Sequence, residues 1–176
     1  MIFRELEIPG AYLLEPERRE DRRGFFARTY CRHELEARGL DPTVVQCHIV
    51  VNHQRGTVRG MHYQAPPYEE IKLVRCTRGA IWDVILDLRA DSTTFTRHVG
   101  VELTAGNRLS LYIPAGLAHG FQTLEDETEV FYQMSEFSHP ECARGVRWND
   151  PAFEIEWPIP ISVISERDLT FPDFSG

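Results

Sequence analysis

Apolar and polar residues alternate singly along much of this chain, the period of a strand with one buried face. In Arg108-Leu-Ser-Leu-Tyr-Ile113, Leu109, Leu111 and Ile113 fall on one side, and Arg108, Ser110 and Tyr112 on the other. Ile81–Asp87 and Glu129–Ser135 are similarly rich in β-branched and aromatic residues. Further strands are predicted near residues 11–14, 24–30, 44–52, 57–63, 71–77 and 98–103, and Gly120-Phe-Gln opens another. Only His33–Leu40 has helical character, and Gly39 limits its length. Eleven prolines and twelve glycines divide these runs, the punctuation of an all-β sandwich or barrel. Eight or more strands in so short a chain favour a jelly roll with one or two short helices. A parallel α/β fold would need helices that the pattern does not supply. The tail from Pro151 onward holds Pro158, Pro160 and Pro172, so it is expected to wrap the barrel irregularly.

Composition narrows the function. A chain of 176 residues is expected to form a single domain, 1–176, with a real core. A net charge of -8 disfavours nucleic acid and anionic membranes as partners. A phosphorylated small molecule stays possible, since a few local arginines outweigh screened distant charge. The first residues lack a basic region followed by an apolar run, so the chain is expected to be cytoplasmic. No apolar run approaches membrane-spanning length. Cys31, Cys47, Cys76 and Cys142 are scattered without a C-x-x-C pair, which fits reduced thiols rather than a disulfide framework or zinc ribbon.

Candidate chemistry gathers in two stretches. Gly56-Thr-Val-Arg-Gly-Met-His62 and Pro114-Ala-Gly-Leu-Ala-His119 follow the cupin spacings G-x5-H and P-x-G-x-x-H. In Ile71-Lys-Leu-Val-Arg-Cys-Thr77, alternation puts Lys72 on the face of Val74 and Cys76. A lysine there is either a snorkelling edge residue or a buried cation able to stabilise developing negative charge. Strict alternation sets Arg59 opposite His62, so bringing both inward requires a bulge at Gly60, which glycine permits. The metal-binding frame is incomplete, because Gln64 stands where a second histidine would and Glu69 or Glu70 meets the carboxylate position only loosely. Transition metals prefer imidazole and carboxylate donors over glutamine. Tyr132 shares a face with Val130 and Met134 and by itself reads as a core tyrosine with its hydroxyl at the rim. Asp168, in Ser165-Glu-Arg-Asp168, reads by itself as an ordinary loop acid.

In combination these residues resemble the dTDP-4-dehydrorhamnose 3,5-epimerase family of nucleotide-sugar epimerases, over about Gly10 to Phe174. The landmarks are Asp21-Arg-Arg-Gly-Phe-Phe26, Gly56–Gln64, Lys72-Leu-Val-Arg, Gly79–Arg89, Ile113–Phe121, Tyr132, Trp148-Asn-Asp-Pro151, Trp157-Pro and Ser165–Asp168, in that order. The resemblance implies a cupin jelly roll without a required metal or other cofactor, usually a homodimer with exchanged strands. It implies a nucleoside-diphosphate 4-keto-6-deoxyhexose, dTDP-linked, epimerised at C3, with C5 expected in addition, by proton transfer next to the ketone. His62 would take the proton with Asp168 behind it, Lys72 would hold the enolate oxygen, and Tyr132 would return a proton from the opposite face. Arg23 and Arg59 suit the diphosphate and nearby oxygens, and Phe26, Gln46 and His119 complete the expected substrate contacts. Three further contact positions depart from the family pattern: Arg28 replaces a glutamate, His48 an asparagine and Ser138 a tyrosine. On the residues alone, two other readings stay open. One is a metal-dependent cupin oxygenase or isomerase using His62, Gln64, Glu69 and His119, and the other a non-catalytic sugar-nucleotide-binding cupin.

Overall fold

The computed structural model describes residues 1–175. In chain order the strands are β1 (Ile2–Glu5), β2 (Tyr12–Glu15), β3 (Arg19–Asp21), β4 (Gly24–Phe26), β5 (Gln46–Asn52), β6 (Val58–Gln64) and β7 (Lys72–Arg78). They continue with β8 (Ala80–Asp87), β9 (His98–Thr104), β10 (Ser110–Ile113), β11 (Leu117–Thr123), β12 (Thr128–Met134) and β13 (Ala143–Gly145). Two short helices join them, α1 (Arg32–Glu36) and α2 (Glu166–Leu169). One sheet runs β1-β2-β10-β7-β12-β5, a second runs β13-β6-β11-β8-β9, and β3 and β4 form a separate hairpin. All named strand pairs are antiparallel, and the two larger sheets build the expected cupin jelly roll.

The core lies where the inward residues of both sheets meet. Val74, Cys76, Leu111, Ile113 and Val130 come from the first sheet, and Ile81, Ile85, Leu103 and Phe121 from the second. Each fully buried aliphatic side chain contributes about 1.5–3 kcal/mol. The proline-rich tail covers the second sheet from outside. Phe153, Ile155, Trp157 and Phe174 pack on Met61, Val84, Leu86 and Ala118. A parallel bridge between Thr57 and Val163 guides the tail back to β6.

Several expected elements change length. The helix predicted over His33–Leu40 closes at Glu36, because Gly39 takes φ +72° and the amide of Leu40 turns back to the carbonyl of Leu35. The strand predicted over residues 24–30 stops at Phe26, the end of a small hairpin whose Asp21 carboxylate accepts the Arg23 amide. Arg108 stands outside β10 with φ +60°. β1, β3 and β13 escape the hydrophobic pattern, since Ile2-Phe-Arg-Glu5, Arg19-Glu-Asp21 and Ala143-Arg-Gly145 carry no run of alternating apolar and polar residues.

Candidate active site

A cavity of about 360 Å³ opens between the two sheets. Gln46, His48 and Val50 enter it from β5, Arg59 and His62 from β6, Lys72 from β7, His119 and Phe121 from β11, and Tyr132 and Met134 from β12. Ser138 and the turn Ser165–Asp168 close its rim.

A bulge in β6 allows two of these side chains to point the same way. His119 pairs with His62 and Phe121 with Arg59, so two steps along β11 span three along β6. Gly60 absorbs the extra residue at φ +136°, and a Cβ there would stand 2.5 Å from the Gly120 Cα. Strict alternation fails at this point, and the bulge expected at Gly60 is present.

His62 Nε2 lies 2.6 Å from Asp168 Oδ1. Asp168 is no loop acid: it sits in α2, is 3% exposed, and has Ser165 as its helix cap. The Gly60 amide donates to its other oxygen at 3.2 Å. Burial works to raise the Asp168 carboxyl, but the His62 hydrogen bond and charge, with the Gly60 amide and Ser165, outweigh it and hold it below its ordinary value. The pair therefore holds a charged carboxylate against the imidazole, and the second ring nitrogen is left for a substrate proton.

Lys72 is 8% exposed on β7, a central strand between β10 and β12, which removes the snorkelling-edge reading. Its ammonium lies 2.9 Å from Glu70 Oε1, and that carboxylate is itself buried. Glu70, considered in the sequence only as a metal ligand, is thus the counter-ion of the buried lysine. Tyr132 faces His48 across the strand pair, their rings stacked at 5.4 Å with 2° between planes. Burial raises the Tyr132 phenol above its ordinary value, with Arg59 opposing and Glu70 adding to the effect. A phenol so placed stays protonated at neutral pH and can give a proton. His119 Nε2 lies 2.5 Å from Asp83, which is fully buried and has one oxygen without a partner among the described residues.

Of the residues considered for a metal, His62 and His119 each hold one ring nitrogen on a carboxylate, Asp168 and Asp83, leaving the other nitrogen. Gln64 gives its amide hydrogens to the carbonyls of Tyr68 and Phe137 and receives the amide of His139. Glu69 is exposed outside the cavity. Among the described residues, no three His, Cys, Asp or Glu side chains are grouped to hold an ion.

Three expected contact residues lie elsewhere. Arg23 is exposed and paired with Asp21, Phe26 is 71% exposed, and Arg28 pairs with Glu34 at 2.7 Å. All three belong to or follow the β3–β4 hairpin, apart from the cavity of their own chain. Conversely, Arg167 lines the cavity and was not anticipated; its only local signal is its place beside Asp168.

Residues 5–176 match the sequence model of the family described as dTDP-4-dehydrorhamnose 3,5-epimerase. The dTDP-4-dehydrorhamnose 3,5-epimerase of Sinorhizobium fredii is 39% identical over 173 residues, which is 98% of this chain and 89% of that protein. The crystal structure of the Elizabethkingia anophelis protein of that name matches with a TM-score of 0.95 at 36% identity, covering 99% of this chain and 96% of the other. The Bacillus anthracis protein, crystallised with TDP and PPi bound, matches with a TM-score of 0.94 at 39% identity, covering 98% and 99%. With a jelly roll, a buried lysine and a carboxylate-backed histidine around one cavity, and with relatives matched over nearly its full length, the chain belongs to the dTDP-4-dehydrorhamnose 3,5-epimerase family.

Proposed function

We propose that this chain epimerises a dTDP-linked 4-keto-6-deoxyhexose at C3 and C5. The observation that carries the reading is the arrangement of proton-handling groups on two facing walls. His62 with Asp168 belongs to the five-stranded sheet side, and Tyr132 and Lys72 to the six-stranded sheet. Inverting a carbon requires removing its hydrogen from one face and returning a hydrogen to the other. The C–H bonds at C3 and C5 are acidic because the electron pair left behind delocalises onto the C4 ketone oxygen. His62 takes the proton, and the enolate oxygen draws its charge compensation from the Lys72 ammonium. Tyr132 then protonates the carbon from the other wall; solvent restores the phenol and takes the proton from His62, so both groups are reset for the second centre.

Arg59 and Arg167 supply cations at the cavity rim for the diphosphate. His119, Gln46, His48 and Ser138 face the sugar and its nucleotide. Arg23, Phe26 and Arg28 act across a homodimer with exchanged strands, each hairpin serving the partner's cavity. Two features support that assembly. The hairpin presents exposed Phe26, and the outer face of the six-stranded sheet carries Ile49 at 63% exposure and, across Phe131 from it, Arg75, whose buried Nε has no partner among the described residues. Four unpaired cysteines suit a cytoplasmic setting.

Incubation with the dTDP-4-keto sugar in D2O, followed by proton NMR, tests the reaction. Loss of the C3 and C5 proton signals with inverted product is expected. Exchange at C3 alone restricts the activity to one centre, and exchange at neither, on dTDP-, CDP- and GDP-linked sugars alike, overturns the proposal.

A further inference from the structure

The segment carrying Asp168 reaches the cavity from outside the barrel, and one ring seats it there. β13 lies beside β6 with Gly145 opposite His62. Gly145 has no left-handed backbone to accommodate, so conformation does not demand a glycine there. Glycine weakens a strand and marks places where another group comes close. Two groups do so here: a Cβ on Gly145 would overlap the Cζ and Cε2 end of the Phe171 ring, and it would stand 2.8 Å from the Met61 carbonyl oxygen. The same ring stands edge-on to the His62 imidazole, with centroids 6.1 Å apart and planes at 67°. Phe171 follows the end of α2 by two residues, so its seat fixes where the turn bearing Asp168 can lie. Beyond it, the Phe174 amide donates at 2.6 Å to Asp150, which is 2% exposed, and the Phe174 ring packs 5.0 Å from Phe153. The turn is thus clamped between the Ser165 cap and this tether, with Phe171 as the one contact that also touches the base.

We propose that Phe171, lodged in the space Gly145 leaves open, is a positioning residue that sets the plane of His62 and keeps Asp168 paired with it. Its kinetic consequence rests on the epimerase reading; its structural consequence does not. The closing experiment therefore has two readouts.

The first needs no substrate. A short histidine–carboxylate hydrogen bond gives a downfield imidazole proton resonance, and this chain has two such pairs, His62–Asp168 and His119–Asp83. Asp168→Asn and Asp83→Asn assign them. In Gly145→Ala and in Phe171→Ala, the His62 resonance should broaden or vanish while that of His119 stays. The second readout is turnover. Each variant should lose about 10- to 100-fold in kcat, the usual effect of a small misplacement. KM should rise as well where the ring is lost, because the Arg167 guanidinium that faces the diphosphate stands 5.8 Å from the Phe171 ring centroid. The losses should not multiply in the double variant, since both disturb the same seat and only the approach of the Gly145 methyl to the Met61 carbonyl adds to them.

Both resonances unchanged in folded Gly145→Ala would overturn the proposal, as would losses that multiply in the double variant. If Gly145→Ala does not fold, Phe171→Ala and the bulk-retaining Phe171→Leu decide. A wild-type resonance and kcat in Phe171→Ala overturns the role, and graded loss from Phe171→Leu to Phe171→Ala supports it. Should the wild type turn over no sugar at all, the epimerase reading fails, and the resonance comparison still judges the clamp.

Discussion

Lys72 and Glu70 form a buried ion pair beside Tyr132, and this pairing defines what each residue can do. An ammonium kept out of bulk water acts strongly on an enolate oxygen, because the local dielectric is low and its partner holds it in place. Lys72→Ala should therefore lose roughly 10²–10³ in kcat, by analogy with removal of an oxyanion donor. His62→Ala should lose about 10²–10⁴, the usual worth of a general base. Steady-state rates of sugar epimerisation, with deuterium wash-in at C3, measure both, and near-wild-type turnover in either would remove the assigned role. His62, Lys72 and His119 were legible as candidates because imidazoles and a lysine in strand runs are chemically conspicuous. Asp168 had no such mark. A carboxylate in Ser165-Glu-Arg-Asp168 looks solvated, and only the return of the tail to β6 buries it against an imidazole from a distant strand. Glu70 and Arg167 were obscured for the same reason, since a charged residue in a connection reads as solvent-facing until its neighbours are known.

At the scale of elements, β6 illustrates how one glycine redirects a strand. Gly60→Ala would force an alanine to φ +136° and drive its Cβ toward the Gly120 backbone. Neither has room to give, so a loss of about 1–3 kcal/mol is expected for the strained residue alone. Thermal unfolding should register this as a fall in Tm of several degrees, accompanied by loss of activity as Arg59 and His62 lose their shared direction. A variant with wild-type Tm and turnover would mean that the bulge is dispensable. The loop after β8 depends on a different device. Asp87 is fully buried and accepts hydrogen bonds from Arg89, Ser92 and Thr94. Burial alone would raise its carboxyl, but these donors hold it far below the usual carboxylate range. A depressed folded value means stability that is present above the unfolded value of about 3.9 and lost as pH falls toward the folded one. Asp87→Asn should cost about 1–3 kcal/mol at neutral pH. Its unfolding curves should then begin to converge with wild type below about pH 4, as the wild type progressively surrenders the same term, and meet only near the depressed folded value. A deficit independent of pH, read by denaturant titration at several pH values, would place the effect in packing instead.

Across the whole molecule, a chain of net charge -8 gathers Arg59, Lys72 and Arg167 around one cavity, a local field suited to a diphosphate within an acidic protein. The proposed dimer has a sharp consequence at this scale. If Arg23 serves the partner's cavity, Arg23→Ala and His62→Ala subunits are each impaired as homodimers. Mixed after dissociation, they should regain about a quarter of the wild-type activity, because half the dimers are hybrid and half the sites in a hybrid are intact. No recovery on mixing, with hybrid dimers verified by light scattering and mass, would show that Arg23 serves its own chain or none. Strand alternation, glycine and proline punctuation and motif order were enough to identify an all-β jelly roll and several of its inward-facing residues, Val74, Leu111, Ile113 and Val130 among them, because burial on one face of a strand is written at a period of two. The bulge at Gly60 was legible as a requirement, since only a break in that period could align Arg59 with His62. Asp168 was reached through the order of family motifs, whereas the pairing of Glu70 with Lys72, and which arginines stand apart from the site, was decided by tertiary structure alone. Those outcomes depend on where a tail without periodicity docks and which charges lose their water, and neither is encoded in any local stretch of the chain.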